Sequence, residues 1–387
     1  MKNIILTAAI FKLFVFTLYA APQAGSDTSE IEKGKLKFSK GDYAGSITVF
    51  SKIIEKDPNN ADAYFNRGNA KTEIADYEGA IADFNKTLEL KKEYYQAYVK
   101  RGNVKMLQAD YHGAIEDYTK SILQNKNKDA LFNRAEAKFK LSDYTGAIKD
   151  YSDLINLHLL STFDVYYKRG LARNEFGSYR EAIYDFTKSI ELYPKYDMAY
   201  FYRANAKKQI KDYAGAIEDY DKLIKMHPTE KIYYYDRAEA KSKTTDFEGA
   251  IADYTKVISL DPKFEEAYYS RAELNGMHGK IEEAIKDFDV IISHHPSAKD
   301  AYYNRGHFYT ELDKYKEAEG DFTTLIELDP LEKDAYYSRG IVRMSLDNYK
   351  GACEDFTKAD QLGDSAAKDM MNRACDHKDT HNYIKKD

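Results

Sequence analysis

The chain has no tryptophan, only two cysteines and only seven prolines in 387 residues. So little proline suits a polypeptide made mostly of helix, because an interior proline breaks one. Cys353 and Cys375, with nine scattered histidines, give no Cys/His ligand spacing and no His-Glu-x-x-His sequence. No metal and no cofactor is therefore expected. P-loop, Gly-x-Gly-x-x-Gly and Gly-x-Ser-x-Gly sequences are also missing. Basic residues do not predominate: the formal net charge is −6, and no long Lys/Arg run occurs. That argues against a nucleic-acid partner, which needs a basic surface. Hydrophobic residues make up 43% and charged residues 32%, a balance that suits a folded soluble chain.

Long apolar runs are confined to the start. Met1-Lys2 is followed by a largely apolar stretch from Ile4 to Tyr19 and a small-residue exit, Ala20-Ala21-Pro22. Residues 1–24 read as a secretory signal peptide, cleaved after Ala20, although Lys12 interrupts the apolar stretch. The alternative is an uncleaved N-terminal anchor. A periplasmic or secreted location is the corresponding expectation.

What is present is repetition. The phrase Asp42-Tyr43-Ala44-Gly45-Ser46-Ile47 returns as Asp76-Tyr77-Glu78-Gly79-Ala80-Ile81. It starts again at Asp110, Asp143, Ser178, Asp212, Asp246, Lys280, Lys314 and Asn348, with steps of 33 to 35 residues. Ten copies fill residues 27–366, divided at about 27–60, 61–94, 95–127, 128–162, 163–196, 197–230, 231–264, 265–298, 299–332 and 333–366. Residues 367–387 form a capping helix and a polar tail. Each copy predicts two helices, the first near Asp62 to Ala75 and the second near Tyr77 to Leu90 in copy two. Asp76 is placed to cap the second helix. Glu181, Glu283 and Glu317 stand where a capping box would put them. Pro58, Pro194, Pro228, Pro262, Pro296 and Pro330 end the second helices. Small residues such as Gly68 and Ala80 let the helices approach, and a large ring such as Phe84 fills the space beside them.

These residues resemble the tetratricopeptide repeat family over nearly the whole chain after the leader. The resemblance implies an all-α, right-handed superhelical solenoid that holds a peptide or partner protein on its concave face. It implies a non-catalytic interaction scaffold. The alternative is a membrane-tethered accessory subunit of an envelope assembly or secretion complex. No segment outside the repeats is large enough for a catalytic domain.

Two positions that are apolar in that family are charged here. One carries Arg67, Arg101, Arg134, Arg169, Arg203, Arg237, Arg271, Arg305 and Arg339. The other carries Asp83, Asp117, Asp150, Asp185, Asp219, Asp253, Asp287, Asp321 and Asp355. A second cation usually stands four residues after the Arg, as Lys71 does. The rows read as a structural charge ladder, paired either within a copy or between copies. The inner face implied by the family carries the rings Phe65, Phe132, Tyr167, Phe201, Tyr235, Tyr269, Tyr303 and Tyr337. Asn69, Asn103, Asn205 and His307 lie beside them. Together they are the candidate peptide-binding residues. Cys353 and Cys375 flank a turn at Gly363-Asp364 and are candidates for a disulfide; two inert thiols are the alternative.

Overall fold

The computed structural model describes residues 27–383, side chains at 29–376, and among these residues there are helices and no strands. The signal or anchor expected at 1–24 lies outside the described residues. The chain forms two compact units that divide between Ser161 and Thr162. The first holds α1 (Asp27–Ser39), α2 (Tyr43–Lys56), α3 (Ala61–Glu73), α4 (Tyr77–Leu90), α5 (Tyr95–Leu107), α6 (Tyr111–Gln124), α7 (Lys128–Lys140) and α8 (Tyr144–Asn156). The second holds α9 (Phe163–Glu175), α10 (Tyr179–Leu192), α11 (Asp197–Gln209), α12 (Tyr213–Met226), α13 (Lys231–Ser242), α14 (Phe247–Leu260) and α15 (Glu265–Met277). It continues with α16 (Ile281–His294), α17 (Lys299–Glu311), α18 (Tyr315–Leu328), α19 (Lys333–Ser345), α20 (Tyr349–Gln361) and α21 (Ala367–Tyr383). In each unit successive helices pair as hairpins, and each hairpin packs on the next. None of the described helices is long and apolar enough to cross a membrane.

The core repeats with the sequence. Phe50, Phe84, Tyr118, Tyr151, Phe186, Tyr220, Phe288, Phe322 and Phe356 are fully buried on the second helices. Each ring lies against the small residue of its own first helix. A Cβ added at Gly68 would stand 2.9 Å from the Phe84 ring. Val49 is buried where later copies carry the Asp, so the first hairpin needs no Arg partner.

The second helices start on a linked pair of residues. Asp76 accepts from the Gly79 amide at 3.0 Å, and Asp42, Asp110, Asp143, Asp212 and Asp246 repeat that bond to the glycine three residues on. A Cβ on Gly79 would collide with the Asp76 carboxylate, so the glycine leaves room for the cap. The capping boxes expected at Glu181, Glu283 and Glu317 do not form. Their cap residues Ser178, Lys280 and Lys314 make no side-chain cap bond, and a lysine has no acceptor to offer. The first helices end earlier than expected. In copy two Ile74 and Ala75 belong to the turn, and Ala75 has φ 62°.

At the far end α21 packs on α20 as an eleventh first helix would. Ala367 and Ala374 are buried beside Phe356. Cys353 and Cys375 are joined as a disulfide with a Cα–Cα distance of 5.0 Å.

Candidate functional site

Every Arg of the ladder grips the Asp sixteen residues later, inside its own hairpin. Nε reaches one carboxylate oxygen at 2.8–3.0 Å. Nη2 reaches the other at 2.5–2.8 Å. This two-point grip settles the pairing as within a copy. The nine carboxylates are no more than 5% exposed. Lys71, Lys105, Lys138, Arg173, Lys207, Lys241 and Arg343 add a second cation at 2.7–2.9 Å. Asn275 and Tyr309 stand in that place in hairpins eight and nine. There burial raises the Asp287 and Asp321 carboxyls above the usual range, and the single Arg only partly opposes it. Arg373 at the C-terminal end is exposed and joins no ion pair among the described residues.

Two further rows serve the ladder and were not singled out in the sequence. The Arg Nη1 donates to the preceding hairpin, at 2.5–3.1 Å, to the residue just after the buried ring: Ser51, Asn85, Thr119, Thr187, Asp221, Thr255, Asp289 or Thr323. Each of these Arg residues therefore ties two hairpins together. A tyrosine three residues before the Arg, such as Tyr64, Tyr234 or Tyr268, lies under the guanidinium at 5.4–5.8 Å. Tyr200, Tyr234, Tyr268 and Tyr336 also donate to Pro194, Pro228, Pro262 and Pro330 carbonyls at 3.1–3.4 Å. Eight of the 35 tyrosines stand in this row under the guanidinium groups.

The expected peptide-binding residues divide between the units. Phe65, Asn69, Asn103 and Phe132 belong to the first; Tyr167, Phe201, Asn205, Tyr235, Tyr269, Tyr303, His307 and Tyr337 belong to the second. Their rings lean on the buried rings of their own hairpins. Phe65 lies 5.9 Å from Phe84, Phe132 5.9 Å from Tyr151, Tyr235 5.6 Å from Tyr254, Tyr269 5.7 Å from Phe288 and Tyr337 5.6 Å from Phe356. Phe201 instead lies 6.0 Å from Tyr233. These rings are half-buried, and Phe65 and Tyr235 also meet Tyr94 and Phe264, at 4.9 and 5.2 Å.

Three of the expected contacts serve the interior instead. Tyr167 is buried between Phe186 and Tyr196. The Asn103 and Asn205 side-chain oxygens accept from the Tyr118 and Tyr220 hydroxyls at 2.8 Å. A buried phenol needs such a partner. Where the buried ring is Phe84, no core phenol claims Asn69, and in the hairpin of Phe322 it is the Ser338 hydroxyl that meets His307 Nε2, at 3.5 Å.

Two pockets open on the first helices of the second unit. One, of about 410 Å³, includes Lys208, Glu239, Lys243 and Glu273. Lys208 is held there by Asp236 at 3.3 Å and Glu239 at 2.7 Å. The other, of about 230 Å³, lies between α17 and α19 and is walled by Tyr303, His307, Phe322, Tyr337 and Ile341. Burial lowers the pKa of His307, so its imidazole is neutral at pH 7. Among the described residues no group of three His, Cys, Asp or Glu is arranged to hold a metal ion.

Tetratricopeptide repeat models match residues 61–94, 129–158, 167–231, 232–264 and 299–330, and a TPR repeat model matches residues 34–74. No curated protein matches the chain. The C-terminal part of a TPR repeat-containing protein from Cytophaga hutchinsonii is 23% identical. The match covers 61% of this chain and 97% of that one, with a TM-score of 0.53. A tetratricopeptide repeat protein from Parabacteroides merdae is 19% identical over 65% of this chain and 100% of that one, with a TM-score of 0.45. The first likeness speaks to the fold alone.

Proposed function

Because the chain belongs to the tetratricopeptide repeat family, a fold that serves protein interaction, we propose that it binds a peptide or partner protein along its first helices and catalyses nothing itself. One observation carries this reading. Tyr235, Tyr269, Tyr303 and Tyr337 stand at one register of four successive first helices, half-buried, each with its ring packed on the buried ring of its own hairpin. Rings already fixed by packing lose little freedom when a partner covers them, and they supply apolar area. The charge ladder is not the binding surface, since its carboxylates are buried and its guanidinium groups are engaged. The apolar start of the sequence supports export to the periplasm or beyond as part of the same proposal. Sequencing the N-terminus of the exported protein separates a cleaved leader from a tether.

The test is capture. The immobilised chain and a Tyr235→Ala, Tyr269→Ala, Tyr303→Ala variant of equal helicity are exposed to the same cell-envelope extract. A partner retained by the first and lost by the second supports the reading. A partner held equally by both moves the site off the first helices.

A further inference from the structure

The pocket between α17 and α19 has an unusual set of walls. Tyr303, Phe322 and Tyr337 supply ring faces, and Thr310 and Ser338 supply hydroxyls. His307 lies edge-on to Tyr303 at 4.4 Å and is neutral at pH 7, because burial lowers its pKa. The only charged side chain in the lining is Asp334, at the rim. Asp334 is exposed and forms no ion pair among the described residues. Burial, followed by the Asp334 and Glu332 carboxylates, raises the pKa of the Tyr303 hydroxyl, so the ring stays neutral. At about 230 Å³ the pocket is smaller than the ~300–1,000 Å³ typical of small-molecule sites and suits one side chain.

The same register carries a carboxylate in the neighbouring hairpins. Glu266, Asp300 and Asp334 occupy one register of α15, α17 and α19, and all three are exposed and without an ion pair among the described residues. Each acts on the ring of the hairpin before it: Glu266 on Tyr235, Asp300 on Tyr269 and Asp334 on Tyr303. Lys208, the cation of the neighbouring pocket, is already held by Asp236 and Glu239. Ring faces attract a cation, an unpaired carboxylate neutralises it, and the hydroxyls can accept from its N–H groups.

We infer that this pocket takes the Arg or Lys side chain of an extended basic segment of a partner protein, with Tyr303 and Tyr337 against the cation and Asp334 pairing with it. The inference rests on the proposal that the first helices bind peptide, and it names the chemistry of that peptide.

The test pans a displayed random-peptide library on the full chain, then measures the recovered peptides by fluorescence anisotropy. The expected peptides share one Arg or Lys anchor. Changing an Arg anchor to citrulline, which keeps the shape and removes the charge, weakens binding about tenfold. Asp334→Asn abolishes the preference for Arg over citrulline, and Asp334→Glu restores part of it. Peptides that bind without a basic anchor, yet are lost on a Tyr303→Ala, Tyr337→Ala variant, would overturn this inference and leave the first-helix site standing. No recovered peptide, or binding unchanged in every variant, would overturn both.

Discussion

Arg237 is bound on two sides. Its Nε and Nη2 hold Asp253 of its own hairpin at 2.8 and 2.5 Å, while Nη1 holds Asp221 of the hairpin before at 2.6 Å. Asp253 also faces Lys241 at 2.9 Å. Desolvated carboxylate and guanidinium groups are tolerated because each has its partner. Asp253→Ala leaves Arg237 with Asp221 alone and takes from Lys241 its nearest carboxylate, and should cost about 3 kcal/mol. Repeat stability is a nearest-neighbour sum, so the loss should be local. Hydrogen exchange should show α13 and α14 opening before the other hairpins. Arg237→Met combined with Asp253→Leu should recover part of that protection, and a uniform loss across the chain would contradict the local picture.

The Asp76–Gly79 pair predicts an asymmetry between two helix glycines. Replacing a helical glycine by alanine ordinarily gains about 0.5–1 kcal/mol. Gly320, in α18, has nothing within 4 Å of its added Cβ, so Gly320→Ala should show that gain in urea denaturation. At Gly79 the new Cβ displaces the Asp76 carboxylate from its cap. A lost cap costs about 1 kcal/mol, so Gly79→Ala should show no net gain. Equal gains at both sites would sink the linkage of cap and glycine.

A period near 34 residues exposed the hairpins, the Arg and Asp rows and the second cation, because each keeps one residue type at one phase. It left the pairing open, since a row of Asp and a row of Arg fit two registers equally well. The Nη1 acceptors escaped because Ser51, Asn85, Thr119 and Asp221 share no residue type, only the place after the buried ring. Asn103 and Asn205 resemble ligand contacts in the sequence, yet their copies carry Tyr118 and Tyr220, whereas Asn69 accompanies Phe84. A phenol in a core needs an acceptor, and that co-occurrence was the available signal.

The C-terminal helix depends on its covalent tie. Helix α21 covers Phe356 with the buried Ala367 and Ala374, and among its described residues only Met370 and Met371 add larger side chains, both partly buried. The Cys353–Cys375 link closes a 22-residue separation, and removing such a loop constraint costs roughly 3 kcal/mol. Cys375→Ser should therefore loosen α21 selectively. Limited proteolysis should cut between Gly363 and the C-terminus in the variant and spare α13 to α18. Identical cleavage patterns would show that packing alone holds the cap.

Hairpin eight offers a direct test of the second cation. Asp287 is 3% exposed and faces Arg271 alone, because Asn275 stands where seven other hairpins place a lysine or arginine. Burial raises its folded pKa above the ordinary carboxylate value. A folded carboxyl with a raised pKa binds its proton more tightly than the unfolded chain does. Its contribution to stability is therefore largest when protonated, and falls as pH rises through the carboxylate range. Asn275→Lys supplies the missing charge, in the geometry that places Lys241 2.9 Å from Asp253. The variant should gain about 1 kcal/mol at neutral pH. The gain should shrink on acidification through the carboxylate range, where a protonated Asp287 leaves the new lysine unpaired. Denaturation of both proteins at neutral and acid pH measures the difference. A gain of equal size at both pH values would place its origin in the lysine's aliphatic stem rather than in its charge.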